Sequence, residues 1–241
     1  MDKKIAVVTG GGTGIGAACC IALGKAGFKV GVHYNKSKES AEKVASMIND
    51  AFLIQGDVST IEGIDNIYNV LKNEHGGQID VLVNNAGIAL DNPIFSATPE
   101  EFQKTIDLNM RGTWYAIKKM ARLMIRKKAG RIINISSVVG SVANPAQSIY
   151  GMTKAAIDNL TKVAALELAT YNILVNSVAP GFIQTDMTNK IPEEFQKNIM
   201  QKIPLGRMGT PEEIGEVVQF LATSGSYITG SILHVNGGMY G

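Results

Sequence analysis

The sequence predicts an α/β fold, a doubly wound parallel sheet with helices on both faces. Three observations carry that expectation. Short apolar runs of the kind that fill parallel strands alternate with helix-like stretches along all 241 residues. Glycine makes up 26 of the 241 residues, well above a typical ~7%, and the glycines gather at the ends of apolar runs rather than in a repeat or linker. No composition shift and no long Pro- or Ser-rich stretch divides the chain, so residues 1–241 are expected to form a single domain.

Taken in order, Ile5-Ala6-Val7-Val8 is a fully apolar strand, followed by a glycine loop and a helix pattern from Gly14 to about Ala26. Phe28 to Val32 reads as the second strand and Glu39 to about Asn49 as a helix. Phe52-Leu53-Ile54 leads to Asp57, and Ile61 to about Lys72 is helix-like. Val81-Leu82-Val83 ends in Asn84-Asn85-Ala86-Gly87, and a long helical region covers about Pro99 to Lys128. Arg131 to Ile135 is a strand, Tyr150 to about Thr170 a helix, and Ile173 to Ala179 a strand stopped by Pro180-Gly181. A helix from Thr210 to about Ala222 precedes a last strand near Ser231 to Val235. The widest irregular stretch, about 181–209, is expected to be a substrate lid, because long loops in compact domains usually carry function.

Hydrophobic residues make up 45% of the chain and charged residues 18%, enough apolar material for a core and too little charge for disorder. With 23 Lys and Arg against 21 Asp and Glu the net charge is +2, so no basic field points to nucleic acid. No apolar run reaches the ~20 residues of a bilayer span, and Met1-Asp2-Lys3-Lys4 leads into no signal-peptide cleavage site. Cys19 and Cys20 are adjacent. Neighbours do not form an ordinary disulfide, and without further thiols or a nearby His they are not a zinc site. The expectation is a cytoplasmic protein with neither a membrane nor a nucleic acid partner and no metal.

Thr9-Gly10-Gly11-Gly12-Thr13-Gly14-Ile15-Gly16 follows the first strand and opens the first helix. There, backbone N–H groups and a helix N-terminus can face a pyrophosphate. Gly10, Gly14 and Gly16 have the spacing G-x-x-x-G-x-G, with Gly12, Thr13 and Ile15 between them. With Ile at position 15 this is not the G-x-G-x-x-G spacing, but a glycine loop between a first strand and a first helix points to a dinucleotide site; a glycine-rich turn without a ligand is the plainer alternative. At the end of the second strand a carboxylate would bond the ribose hydroxyls of NAD and repel the 2′-phosphate of NADP. Here the chain reads His33-Tyr34-Asn35-Lys36-Ser37-Lys38. Asn35, Lys36 and Ser37 offer donors and positive charge to a phosphate, which favours NADPH, although a solvated polar turn would look similar. Asp57-Val58, after the third strand, either bonds the adenine edge or, through Asp57, caps the next helix.

Tyr150-Gly151-Met152-Thr153-Lys154 opens an apolar helix, and positions four apart share a helical face. A free phenol, with a pKa of ~10, is a poor acid–base group at neutral pH. A nearby lysine cation, together with the positive nicotinamide ring of an oxidised cofactor, would stabilise phenolate and lower that value. Ser136-Ser137 ends the strand upstream, where parallel sheets bind ligands, and Ser137 could donate to a substrate carbonyl while Tyr150 protonates it. Turn chemistry is the alternative for the two serines. A Ser-His-Asp hydrolase is disfavoured, since His33, His75 and His234 are scattered and no G-x-S-x-G elbow exists. A non-catalytic dinucleotide sensor would have no use for a proton-delivery set.

Together these residues resemble the short-chain dehydrogenase/reductase family, over essentially the whole chain. Thr9 to Gly16 is similar to its glycine motif, and Asn84-Asn85-Ala86-Gly87 to its N-N-A-G signature. Asn109, Ser137, Tyr150 and Lys154 resemble its catalytic tetrad, and Pro180-Gly181 through Thr185 its nicotinamide-contacting segment. Within the family, Arg131 to Gly140, Pro204 to Glu213 and Tyr227 to Tyr240 resemble bacterial reductases of β-ketoacyl thioesters in fatty acid biosynthesis. The resemblance implies NADPH, a substrate on acyl-carrier protein (or acyl-CoA, as in acetoacetyl-CoA reductases) and a homotetramer. It implies cofactor contacts from Asn85, Ala86, Gly87, Pro180, Gly181, Ile183 and Thr185, a Lys154 bond to the nicotinamide ribose, and a water held at Asn109 through a local helix distortion. Thr13 stands where NADPH-using relatives often carry Arg, so phosphate recognition would fall on Asn35 to Ser37. Tyr171 stands where a basic residue is common. The basic triplet Arg126-Lys127-Lys128 is then either a docking patch for an acidic carrier protein beside the substrate entrance or a helix C-terminus that complements the macrodipole and keeps the surface soluble.

Overall fold

The computed structural model describes residues 3–185 and 200–240. Seven strands, β1 (Ile5–Val8), β2 (Lys29–Tyr34), β3 (Ala51–Gln55), β4 (Val81–Asn84), β5 (Gly130–Ile135), β6 (Ile173–Pro180) and β7 (Ile232–Val235), form one sheet in the order β3-β2-β1-β4-β5-β6-β7. All six pairings are parallel. The connecting helices are α1 (Gly14–Lys25), α2 (Lys38–Ser46), α3 (Ile61–Glu74), α4 (Pro99–Thr105), α5 (Thr113–Lys127), α6 (Ser148–Leu168) and α7 (Pro211–Thr223). The strand order reverses between β1 and β4, the place where doubly wound sheets open a crevice.

Period-two alternation along the strands divides the core. Ile5 and Val7 of β1 pack with Ile64, Ile67 and Leu71 of α3, Met120 and Met124 of α5 and Ala164 and Leu168 of α6. Ala6 and Val8 face the other way, onto Leu23 of α1, Val44 of α2 and Ile214, Val218 and Leu221 of α7. Both layers are apolar throughout, which explains why the strands read as continuous hydrophobic runs. The thiols of Cys19 and Cys20 are buried in the second layer; burial pushes Cys19 up to about 12 and Cys20 well above its ordinary value, so both are inert.

The sequence Thr-Pro-Glu-Glu occurs twice and starts a helix both times. Thr98 caps α4 and Thr210 caps α7, each accepting from the N–H of the Glu three residues on, while Glu101 and Glu213 accept from the cap N–H. Thr60, not Asp57, caps α3.

All expected strands and helices are present, with end shifts of a few residues. The second strand runs on to Tyr34, and the helix after it stops at Ser46 rather than Asn49. The long helix is distorted around Asn109, as the family resemblance implies: Ile106–Gly112 forms a π-helical segment between α4 and α5. Of the expected lid, 186–199 lies outside the described residues. The flanks of that stretch are tied together: Ile183 bridges to Gly209, and Gln184 N–H donates to Gly209 O at 2.9 Å.

His33 is part of the core rather than of a reactive set. Its Nδ1 accepts from Gly10 N–H at 3.1 Å, and its Nε2 lies 3.0 Å from the Gly56 carbonyl, so only the neutral tautomer with a proton on Nε2 satisfies both. Burial lowers its pKa to about 4 from 6.5. The unfolded chain therefore binds this proton more readily than the native one, and stability falls as pH drops from about 6.5 toward 4. Acidification from pH 7 to pH 5 should cost about 2 kcal/mol from this group. Denaturant titration at the two pH values should show a flatter pH dependence for His33→Asn than for the unaltered chain.

Candidate active site

A cleft of about 1170 Å³ opens at the carboxyl ends of the strands, across the β1/β4 reversal. Most of the residues singled out from the sequence line it. The glycine loop contributes Gly10, Thr13, Gly14, Ile15 and Gly16; the end of β2 contributes Asn35 and Lys36; and Asp57 and Val58 follow β3. Asn85, Ala86 and Gly87 come from the turn after β4, Ser137 from the end of β5, Tyr150 and Lys154 from α6, and Pro180, Gly181, Ile183 and Thr185 from the end of β6. Three do not line it. Gly12 faces α2, where an added Cβ would stand 3.2 Å from Ala41 N. Ser37 is the residue before α2. Asn109 is buried behind the wall.

The first two loops are held by each other. Thr9 Oγ1 accepts from Asn85 N–H at 2.9 Å and Ala86 N–H at 3.1 Å, and Asn85 Nδ2 donates to Thr9 O at 2.9 Å and Gly10 O at 3.2 Å. Gly10 has φ of 63°, which an L side chain rarely adopts. A Cβ on Gly16 would stand 2.1 Å from Gly10 O, so helix α1 can start this close to the loop only with glycine there. The result is a shallow cradle of main chain at the N-terminus of α1 that suits a pyrophosphate. The loop therefore fits a dinucleotide.

Asp57 makes an Asx-type turn: its Oδ1 accepts from Ser59 N–H at 2.9 Å and Ser59 Oγ at 2.6 Å. The Ser59 bonds first, then Asn35 and the Lys36 charge, hold its carboxyl below the usual carboxylate range. Asn35 thus bridges the β2 turn to Asp57.

At the other wall, the π segment places Asn109 against two elements. Its Oδ1 accepts from Ile88 N–H at 2.9 Å, while Nδ2 donates to Ile88 O at 2.9 Å and to Thr153 Oγ1 at 3.1 Å. The side chain thereby fixes the segment after β4 against α6. Lys154 Nζ donates to Ile135 O at 2.7 Å and lies 5.4 Å from the Tyr150 ring centroid. Tyr150 is bonded to Ser137. Proton donors from Ser137 and Tyr150 and a cation from Lys154 therefore share one patch of the cleft, an arrangement able to polarise and protonate a carbonyl oxygen.

Burial dominates the titration of this patch. Burial pushes the Tyr150 phenol up to about 12, with the Ser137 bond opposing and Asp91 adding to the rise. Burial likewise lowers Lys154 to about 8, against the raising effect of Asp158. With burial as the largest cause, Tyr150 is a protonated acid at neutral pH rather than a phenolate.

The docking expectation changes. Lys127 Nζ pairs with Asp80 Oδ1 at 2.6 Å, and Asp80 Oδ2 accepts from Ile5 N–H at 2.8 Å. Asp80 precedes β4 and Lys128 precedes β5, so Arg126-Lys127-Lys128 lies at the amino end of the sheet. The cleft is at the carboxyl end, about 20 Å away along a strand the length of β5. Within one chain the triplet does not flank the substrate entrance. Tyr171, just ahead of β6, lies at that same far end.

The structure also gives Asp91 and Asp158, which the sequence reading missed, and a place for Ser136. Asp91 accepts from Gln147 Nε2 through both carboxylate oxygens, at 3.1 and 2.9 Å, tying the loop after β4 to the residue before α6. Ser136 and Asp158 sit behind Lys154, both buried. An acid four residues after Lys154, on the same helical face, was the available signal for Asp158.

Comparison with known proteins agrees with this geometry. The family model described as enoyl-(acyl carrier protein) reductase matches residues 10–240. The 3-oxoacyl-(acyl-carrier-protein) reductase FabG of Staphylococcus aureus is 43% identical over 242 residues, covering 98% of each chain. The 3-oxoacyl-(acyl-carrier-protein) reductase of Synechocystis sp. is 42% identical over 245 residues, covering 99% of this chain and 98% of the other. The crystal structure of gox2181 superposes with a TM-score of 0.94 at 31% identity, over 99% of this chain and 96% of that one. With its glycine cradle, its Ser-Tyr-Lys patch and relatives of this similarity over nearly its full length, the chain belongs to the short-chain dehydrogenase/reductase family.

Proposed function

We propose that this chain reduces the ketone of a 3-oxoacyl thioester on acyl-carrier protein to the 3-hydroxyacyl thioester, with NADPH as reductant, as a step of fatty acid biosynthesis. The observation that carries this reading is that Ser137, Tyr150 and Lys154 share one cleft with the glycine cradle. The names of the relatives at 42–43% identity support the substrate class.

When bound, the reduced dinucleotide supplies a hydride to the ketone carbon. Gly10, Gly14 and Gly16 would hold its pyrophosphate, and Asn35 and Lys36 the ribose phosphate. Asp57, Val58, Asn85, Ala86, Gly87, Pro180, Gly181, Ile183 and Thr185 would form the remaining walls. Ser137 and Tyr150 donate to the ketone oxygen, where negative charge builds in the transition state. Tyr150 gives its proton to that oxygen, and a phenol pushed up to about 12 holds that proton until the oxyanion demands it. Lys154 offsets the phenolate that remains. Asn109 acts as a positioning residue, keeping the Gly87-Ile88 segment in line with α6.

The position of the basic triplet at the far end of the sheet favours a second reading, in which coenzyme A is the carrier. Initial rates on acetoacetyl-carrier protein and acetoacetyl-CoA separate the two, and a crotonoyl thioester tests the enoyl reduction named by the family model.

A homotetramer is part of the proposal. Trp114, Met110, Ile106 and Leu160 line an apolar groove of about 340 Å³ where the π segment and α5 meet α6. Phe102, Val163 and Leu166 are exposed on the helices that border it. Near β7, Phe220 and Tyr227 are exposed too. Patches of this kind usually mark association sites, and a second copy is the occupant proposed here. Light scattering at micromolar concentration should report a tetramer; a monomer would contradict this part.

Tyr150→Phe keeps the ring and loses the O–H. Turnover of the acetoacetyl thioester should fall by ~10²–10⁴ while cofactor affinity, read by NADPH fluorescence, persists. Near-normal turnover would remove Tyr150 from the mechanism. Asn35→Asp would set a second carboxylate beside Asp57 and repel a 2′-phosphate, so KM for NADPH should rise at least about tenfold with a smaller change for NADH. A preference for NADH in the unaltered chain would contradict the reading of Asn35 and Lys36.

A further inference from the structure

Lys154 and Asp158 stand one turn apart on α6, at 5% and 8% exposure. Burying a charge is costly unless it is paired and hydrogen-bonded. Among the described residues Lys154 Nζ has the Ile135 carbonyl as its acceptor and no direct salt bridge. Asp158, by contrast, sits in a pocket built from four elements. Ser177 Oγ on β6 donates to Asp158 Oδ1 at 3.1 Å. Ser136 Oγ, at the end of β5, lies 3.3 Å from Lys154 O and also reaches the Asp158 carboxylate. Gly140, in the turn after Ser137, comes so close that an added Cβ would stand 3.0 Å from the Lys154 carbonyl carbon and 3.1 Å from Asp158 Oδ2. From β7, His234 faces the carboxylate, with its Nδ1 buried and without a partner.

We propose that Asp158 is a positioning residue for the reaction, a buried counter-charge that keeps Lys154 an ammonium beneath the cleft. It rests on the reading of Lys154 given under the proposed function. A side chain four residues on leans toward the helix N-terminus, which brings the carboxylate back over the Lys154 turn. Burial raises the Asp158 carboxyl above its ordinary value, and the Ser136 and Ser177 hydroxyls oppose that rise by stabilising the ionised form. The described charged groups acting on the pair are few. Tyr150 faces Lys154 from one turn earlier on α6, Asp91 faces Tyr150 from the loop after β4, and His234 faces Asp158 from β7. Burial lowers Lys154 to about 8, and Asp158 is the group that raises it. Without that carboxylate the lysine would lose its proton at a lower pH, and with it the charge that offsets a phenolate.

Asp158→Asn keeps the shape and can still accept from Ser177. In the full chain without cofactor, labelled with ¹³C,¹⁵N-lysine and assigned with Lys154→Arg, the titration midpoint of Lys154 should fall by about one pH unit or more in Asp158→Asn. The alkaline limb of acetoacetyl-thioester reduction should move the same way, with activity at pH 6 within about twofold of the unaltered chain. An unmoved midpoint, or a loss of activity uniform across pH, would overturn the proposal and leave Asp158 a packing residue. A shifted midpoint in a protein inactive on every thioester would support the counter-charge and remove the activity reading instead. If Asp158→Asn fails to fold, Ser177→Ala removes one donor from the carboxylate; a smaller shift in the same direction supports the proposal and no shift overturns it.

Discussion

Thr9 Oγ1 joins the two halves of the sheet at the point where their connections part. The strands on either side of β1 and β4 send their helices to opposite faces, which leaves a gap at the carboxyl ends and exposes loop amides that must find partners. One hydroxyl and one side-chain amide supply them: Thr9 takes the N–H groups of Asn85 and Ala86, and Asn85 returns its own Nδ2 to the carbonyls of Thr9 and Gly10. His33 closes the third side by accepting from Gly10 N–H. The glycine loop is thus shaped by the protein itself, and a bound dinucleotide would meet a site whose ordering cost has already been met on folding.

The same logic of internal supports runs along the opposite wall. Asn84, Asn134 and Thr161 form a buried chain of hydrogen bonds, at 2.8 and 2.9 Å, that locks β4, β5 and α6 together one layer beneath the reacting groups. Above it, Asn109 holds Ile88 and Thr153, so Ser137, Tyr150 and Lys154 are presented from elements with little freedom to drift. Displacements of an ångström are costly in catalysis, and each reacting side chain here has a rigid support behind it.

How much of this the sequence disclosed follows from which features leave a period. The strands were legible because two buried faces demand continuous apolar residues, and Tyr150 with Lys154 because a helix brings fourth neighbours together. Asn109 was placed by family resemblance, but its committed partners, Ile88 and Thr153, were not visible, since a π segment has no compositional mark. Gly12 belongs to the right loop yet faces α2, and Ser37 stands just before that helix. The basic triplet was misplaced for a reason the topology itself supplies: in a parallel sheet every helix ends where the next strand begins, so a helix C-terminus lies opposite the cleft. The phenol's direction of shift required knowing how deeply α6 is packed, which a helical repeat does not state.

The π segment also sets a rule for chain length. A π turn carries an extra residue, and one residue is about 100° of rotation in the α-helix that follows. Gln103, Lys104 and Asp107 can therefore face the cleft while Ala116, Met120 and Met124, farther along the same rod, face the core. Deleting a single residue between Ile106 and Gly112 would restore a regular helix and turn one of these faces away from its partner, even though no side chain in contact had changed. The turn Gly76-Gly77 after α3, with both residues at positive φ and open space around Gly76, has no such phase to keep. Relatives of this chain should accordingly vary in length around residue 76 and remain fixed in length between residues 106 and 112.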